Sequence, residues 1–146
     1  MNKCILSIET TTNICSVSLF NNSELIIIKE DSSRNHSSLL GQFVDDIFQK
    51  SVIDVNDLDA IALSIGPGSY TGLRIGLSFA KGMAFALNKP IIPINTIDSI
   101  NDLVKDLNYF VILPAYKNCF FIQEYREGIK FNDIIFNTID VIKENS

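Results

Sequence analysis

This chain of 146 residues has one histidine, three cysteines and fewer basic than acidic residues. Each shortage removes a class of function. A single histidine, His36, cannot form a His-x-x-x-His metal pair. It also leaves few ways to build a Ser-His-Asp or Cys-His constellation. Cys4, Cys15 and Cys119 are too few and too scattered for a disulfide framework or a zinc site. They are expected to be buried, reduced thiols of a cytoplasmic protein. The formal charge is −5, from 12 Lys and Arg against 17 Asp and Glu. A chain that neutralises many phosphates needs a basic patch, so tight binding of a nucleic acid by this chain alone is not expected. No uninterrupted apolar run approaches the roughly 20 residues that cross a bilayer. No cationic start followed by an apolar core marks a secretion signal.

What remains is ordinary globular composition, 47% hydrophobic and 20% charged. Lys3 to Ile8 and Cys15 to Phe20 read as a hairpin around Glu9-Thr10-Thr11-Thr12-Asn13. After the turn Asn21-Asn22-Ser23, Glu24 to Lys29 is a third strand with a β-branched Ile26-Ile27-Ile28 centre. Asp31 to Ser38 is a polar loop that holds His36. Leu39, Leu40, Phe43, Val44, Ile47 and Phe48 then recur at helical spacing. Leu58 to Ile65 is a fourth strand, Leu73 to Leu87 a second helix and Pro90 to Ile94 a fifth strand. A short helix capped by Thr96 or Asp98 and reaching Leu107 follows. The order βββαβαβα predicts an α/β fold: the actin-like, Hsp70-like (ribonuclease-H-like) domain, a mixed five-stranded sheet with flanking helices. This domain is expected over 1–107. Residues 108–146 read as a truncated second domain, with strands at Phe110–Leu113, Cys119–Tyr125 and Ile129–Phe131, a turn at Arg126-Glu127-Gly128, and a helix from Ile134 to Asn145.

The run Ser64 to Gly76 stands out: a strand, then glycines and a proline, then a helix. That layout aims backbone N–H groups at an anion. It is not a Walker A loop, since no Gly-Lys-Ser/Thr follows, and Thr71 stands where a dinucleotide fingerprint needs its third glycine. Gly66, Gly68 and Ser69, with Thr10 and Thr11 of the first hairpin, are the nucleotide-binding candidates. A tight structural turn competes with that reading. The helix beyond the run is apolar almost all round, with only Arg74, Ser78 and Lys81 as a narrow polar stripe. Gly72 and Gly76 are four apart and share a face, which permits close backbone approach. Two explanations compete: packing within the chain, or docking of another subunit. The docking reading assigns the surface to Leu39, Leu40, Phe43, Ile47, Gly72, Leu73, Gly76, Phe79, Ala80 and Met83. It also expects Gly76→Arg to break pairing while leaving the fold intact.

Gly66-Pro67-Gly68-Ser69-Tyr70-Thr71-Gly72-Leu73-Arg74-Ile75-Gly76, Ala80-Lys81-Gly82, Ile8-Glu9-Thr10-Thr11, and Arg34 with His36-Ser37 together resemble the TsaB (YeaZ) family. That family is the bacterial dimerization subunit of tRNA threonylcarbamoyladenosine biosynthesis. The resemblance covers about residues 3 to 107. It implies an accessory subunit without catalysis of its own, which pairs through its two N-terminal helices, here Ser37–Lys50 and Gly72–Leu87. The implied partners are the catalytic subunit TsaD, the P-loop ATPase TsaE, and a second copy when the chain is alone. Transfer RNA is met only through the complex, with no membrane contact. No metal or cofactor of its own is implied, although ATP or ADP can sit near the partner contact. TsaD carries two metal-binding histidines where this chain has Thr96 and Ile100. Glu9 replaces the family's usual Asp, Leu113-Pro114-Ala115-Tyr116-Lys117 replaces an Asp-Ala-Arg-like element, and the second domain is expected to be shortened or the chain a fragment. The rival reading is a small actin-like ATP-binding phosphotransferase or ATPase.

Overall fold

The structure is a computed structural model that describes residues 3–33, 35–101, 104 and 106–138. The chain divides into two compact units, Met1–Ile65 with Ser69–Ile94 and Gly66–Gly68 with Asn95–Ser146. The sequence divides at 107/108; the compact units part between Ile94 and Asn95.

The first unit is built on β1 (Cys4–Glu9), β2 (Cys15–Asn21) and β3 (Glu24–Asp31), then α1 (His36–Lys50), β4 (Ala60–Ser64), α2 (Tyr70–Leu87) and β5 (Ile91–Ile94). The strands lie in the order β3-β2-β1-β4-β5. The first three are antiparallel, while β4 runs parallel to β1 and β5 parallel to β4. This is the expected mixed five-stranded sheet. Alternation sends Leu6, Ile8, Val17 and Leu19 to one face, where they join Ile61 and Leu63 in a single core with Leu40, Phe43, Val44 and Ile47 of α1 and Ala80 of α2. Burying each of the larger side chains contributes about 1.5–3 kcal/mol. Ile26 and Ile28 stay exposed on the edge strand β3, while Ile27 packs on the core.

Local chemistry sets the helix ends. α2 starts at Tyr70 because the Ser69 hydroxyl oxygen accepts from the Gly72 N–H at 3.2 Å. It ends at Asn88, whose left-handed backbone (φ 52) closes the last turn. α1 starts at His36, inside the expected loop.

In the second unit, α3 (Thr96–Asn101) is capped by Asn95, not by Thr96 or Asp98: the Asn95 side-chain oxygen accepts from the N–H groups of Ile97 (2.9 Å) and Asp98 (3.3 Å). Nor does it run to Leu107. The Asn101 carbonyl accepts from the Val104 N–H, and Val104 and Asp106 are not helical. β6 (Tyr109–Pro114), β7 (Cys119–Arg126), β8 (Ile129–Lys130) and β9 (Ile135–Thr138) form an antiparallel sheet in which β7 pairs with each of the others. Ile97, Val111, Leu113 and Tyr125 form its core. Glu127 and Gly128, both with positive φ (52 and 74), make the β7–β8 turn. β9 corrects the expected terminal helix. Ile135–Thr138 pairs with Cys119–Ile122, and Phe136 packs on Phe121 with ring centroids 5.3 Å apart. Ile134 is not helical either; residues 139–145 of that expected helix lie outside the described residues, as does Arg34.

Candidate functional site

The hairpin turn after β1 and the start of α2 are bonded to each other within the first unit. The Thr10 hydroxyl donates to the Gly72 carbonyl at 2.8 Å. The Ser69 N–H donates to the Thr11 carbonyl at 2.6 Å. The Glu9 carboxylate accepts from the Thr11 N–H and, at 2.5 Å, from its hydroxyl. Thr10 and Thr11 are both buried. A Cβ on Gly72 would collide with the Thr10 carbonyl oxygen, and one on Gly76 would collide with Thr10 Oγ1 and stand 3.3 Å from Leu63 Cδ1. The close approach that these glycines permit is therefore made to the chain's own hairpin. Gly76→Arg cannot leave this packing intact, contrary to the sequence reading.

Of the nucleotide candidates, Thr10, Thr11 and Ser69 come together in the first unit, with the Thr10 hydroxyl and the Ser69 oxygen engaged in the bonds above. Gly66 and Gly68 belong to the second compact unit. Gly66 has φ 102, its carbonyl accepts from the Thr96 N–H at 2.9 Å, and the Gly66–Pro67 peptide is cis. His36 is a buried helix residue, not a loop residue, and its Nε2–H donates to the Thr12 carbonyl at 3.1 Å. Thr96 is buried and Ile100 packs on the second core, so neither position offers a metal ligand set. Among the described residues no group of three or more His, Cys, Asp or Glu could hold a metal ion. Burial, with Asp59 and Asp57 nearby, pushes the Cys4 thiol up from its ordinary pKa. Burial, with Asp31 and Glu9, does the same to Cys15. Both are poor nucleophiles as a result. No described helix is long and apolar enough to cross a membrane.

The helix pair has a different outward face from the one expected. Leu40, Phe43, Ile47 and Ala80 are core, Gly72 and Gly76 are buried, and Leu39, Phe79 and Met83 lie half-buried against the core, with Leu73 also half-buried. What α2 presents to solvent is Tyr70 (73% exposed), Leu77 (39%) and Phe85 (91%), interleaved with Arg74, Ser78 and Lys81. Beside it an open groove of about 520 Å³ runs between α1 and α2, lined by Ser37, Leu40, Tyr70, Arg74, Ile75 and Phe79 among others. Sequence reasoning missed Tyr70, Leu77 and Phe85 because it took the glycine stripe to be the outer one. Once Gly72, Gly76 and Ala80 are placed inward, helical spacing turns Phe85 directly away from them and sets Leu77 and Tyr70 about 100–120° round the helix.

A family model described as TsaD, tRNA N6-adenosine threonylcarbamoyltransferase, matches residues 25–108. The tRNA threonylcarbamoyladenosine biosynthesis protein TsaB of Haemophilus influenzae is 33% identical over 134 residues, which is 88% of this chain and 57% of that protein. The Escherichia coli protein of the same description is 38% identical over 93 residues, 64% of this chain and 40% of its own length. The chain thus spans about half the length of the curated relatives it matches. YeaZ from Pseudomonas aeruginosa has the same fold, with a TM-score of 0.79 at 22% identity, over 92% of this chain and 67% of that one.

Proposed function

The chain belongs to the TsaB (YeaZ) family, and from that membership we propose that it is a non-catalytic docking subunit of tRNA threonylcarbamoyladenosine biosynthesis. Its partner in this reading is a TsaD-type catalytic subunit, joined by a TsaE-type ATPase. The observation that carries it is the outward face of α2, where Phe85, Tyr70 and Leu77 stand exposed beside the α1–α2 groove. Aromatic side chains exposed on a regular helix and flanked by a few polar groups are the usual anchors of a protein interface. The hairpin turn supports the same reading. In a phosphate-handling enzyme the hydroxyls of Thr10 and Thr11 would face the substrate; here they fasten the turn, one to α2 and the other to Glu9. Thr96 and Ile100 are poor metal-ligating side chains, which supports assigning the chemistry of transfer to the partner.

Reconstitution tests this. A TsaD-type subunit, a TsaE-type ATPase, tRNA and the precursors are combined with and without this chain, and threonylcarbamoyladenosine is counted by mass spectrometry. Modification is expected only when the chain is present, with no ATP turnover by the chain alone. ATP hydrolysis by the isolated chain would favour the actin-like ATPase reading instead. Full modification without the chain would remove the docking role.

A further inference from the structure

The turn of the first hairpin is held from outside. β1 and β2 stop pairing at Glu9 and Ser16. Among the described residues no backbone hydrogen bond joins one residue of 10–13 to another. Local bonds in the turn are made by side chains: the Thr12 hydroxyl oxygen accepts from the Ile14 N–H at 3.1 Å, and the Glu9 carboxylate accepts from the Thr11 N–H. Three consecutive residues of the turn then reach the starts of two helices. The Thr10 hydroxyl donates to the Gly72 carbonyl at 2.8 Å, and the Thr11 carbonyl accepts from the Ser69 N–H at 2.6 Å, both at the start of α2. The Thr12 carbonyl accepts at 3.1 Å from His36, the first residue of α1. A carbonyl oxygen can only accept, so the proton of this contact sits on His36 Nε2.

The two helix starts differ in what else holds them. α2 has its own side-chain cap in Ser69. α1 has none: Asn35 makes no side-chain cap bond, and no acidic residue stands in the first turn. The N–H groups of Ser38 and Leu39 both turn to the Asn35 carbonyl, at 3.2 and 3.1 Å. The bond from buried His36 is therefore what fixes the start of α1 to the hairpin. We infer that residues 10–12 form a clasp that couples the starts of α1 and α2, with His36 as the positioning residue on the α1 side. All of these bonds lie within the first compact unit. A turn without a backbone ladder of its own follows whichever helix start moves, and carries that movement to the other. Ser37 of α1 and Tyr70 and Thr71 of α2 line the open groove between the helices, each next in sequence to a clasped residue. The clasp thus sets the width of the groove at this end, whatever occupies it.

Amide hydrogen exchange of the full chain, read residue by residue by NMR, tests the coupling. His36→Phe keeps a ring and removes the donor. It is expected to speed exchange at Ser38 and Leu39, and also by about fivefold or more at Ser69, Gly72 and Leu73 of α2. Thr10→Val should act in the reverse direction and speed exchange at Ser38 and Leu39 of α1. His36→Gln, which restores a side-chain N–H donor, should return α2 most of the way to the wild-type rates. Faster exchange confined to one of the two helices in both His36→Phe and Thr10→Val overturns the inference. So does His36→Gln behaving as His36→Phe does, because the ring and not the bond would then be responsible. An equal rise at Leu6 and Ile61, in the centre of the sheet, would report general loosening and overturn it as well. If His36→Phe does not fold, Thr10→Val decides through Ser38 and Leu39. These readouts need no partner, so they stand or fall apart from the docking role.

Discussion

A methyl group at Gly72 would run into the Thr10 carbonyl, whereas one at Gly82 meets nothing within 4 Å. The two glycines share a helix but not an environment. Gly72→Ala is expected to destabilise the fold by about 3 kcal/mol or more, since backbone on both sides of the clash must move. Gly82→Ala should stabilise it by up to about 1 kcal/mol, through helix propensity alone. Urea unfolding of both variants reads the difference, and similar shifts for the two would contradict the packing described. The spacing of Gly72 and Gly76 was legible as a shared face needing close approach. What approaches them was not, because a neighbour 62 residues away, Thr10, fits the same spacing as a foreign helix. A pH dependence belongs at this scale too. The folded state holds the Cys4 and Cys15 thiols above their ordinary value of 9.0, so as pH rises past 9 the unfolded chain loses those protons first. Stability contributed below that pH is then lost as pH increases. Chemical denaturation from pH 8 upward should show the decline, and Cys4→Ala/Cys15→Ala should flatten it.

Helices and strands with a clear period were readable. The meander, both long helices and the two parallel strands emerge where alternation or helical spacing predicts them, because one face of each is buried in a common core. The misses share a cause. β9 is four residues long and exists as a strand only through its pairing with β7. Its Ile-Phe-Asn-Thr sequence carries β preference but too little length to show a period. The α3 cap moved to Asn95 because its amide oxygen reaches two N–H groups at once. The join between the first hairpin and α2 was likewise invisible locally. Thr10→Val keeps the side-chain shape but removes the hydroxyl that donates to the Gly72 carbonyl. It is expected to cost about 1–2 kcal/mol, measured by thermal unfolding, and to raise hydrogen exchange in the first turn of α2. Exchange unchanged in that turn would show that the bond does not hold it.

The whole molecule is acidic, with a formal charge of −5, so under the proposed function its link to tRNA is expected to run through another protein. The chain alone should leave tRNA unshifted in a gel at low salt, where electrostatic binding is strongest. A shift would show that a basic surface forms despite the net negative charge. The candidate face was half legible in the sequence: the helix pair was, and its outward residues were not, since burial of the glycine stripe is a property of the folded unit. Phe85 is where the account is most exposed to test, as the least covered side chain of the α2 stripe. Calorimetric titration of the chain, and of its Phe85→Asp variant, into the TsaD-type catalytic subunit of the same organism measures the central claim directly. A saturable one-to-one association is expected, weakened at least about thirtyfold by Phe85→Asp. No association by the wild type, or equal affinity for both proteins, would contradict it.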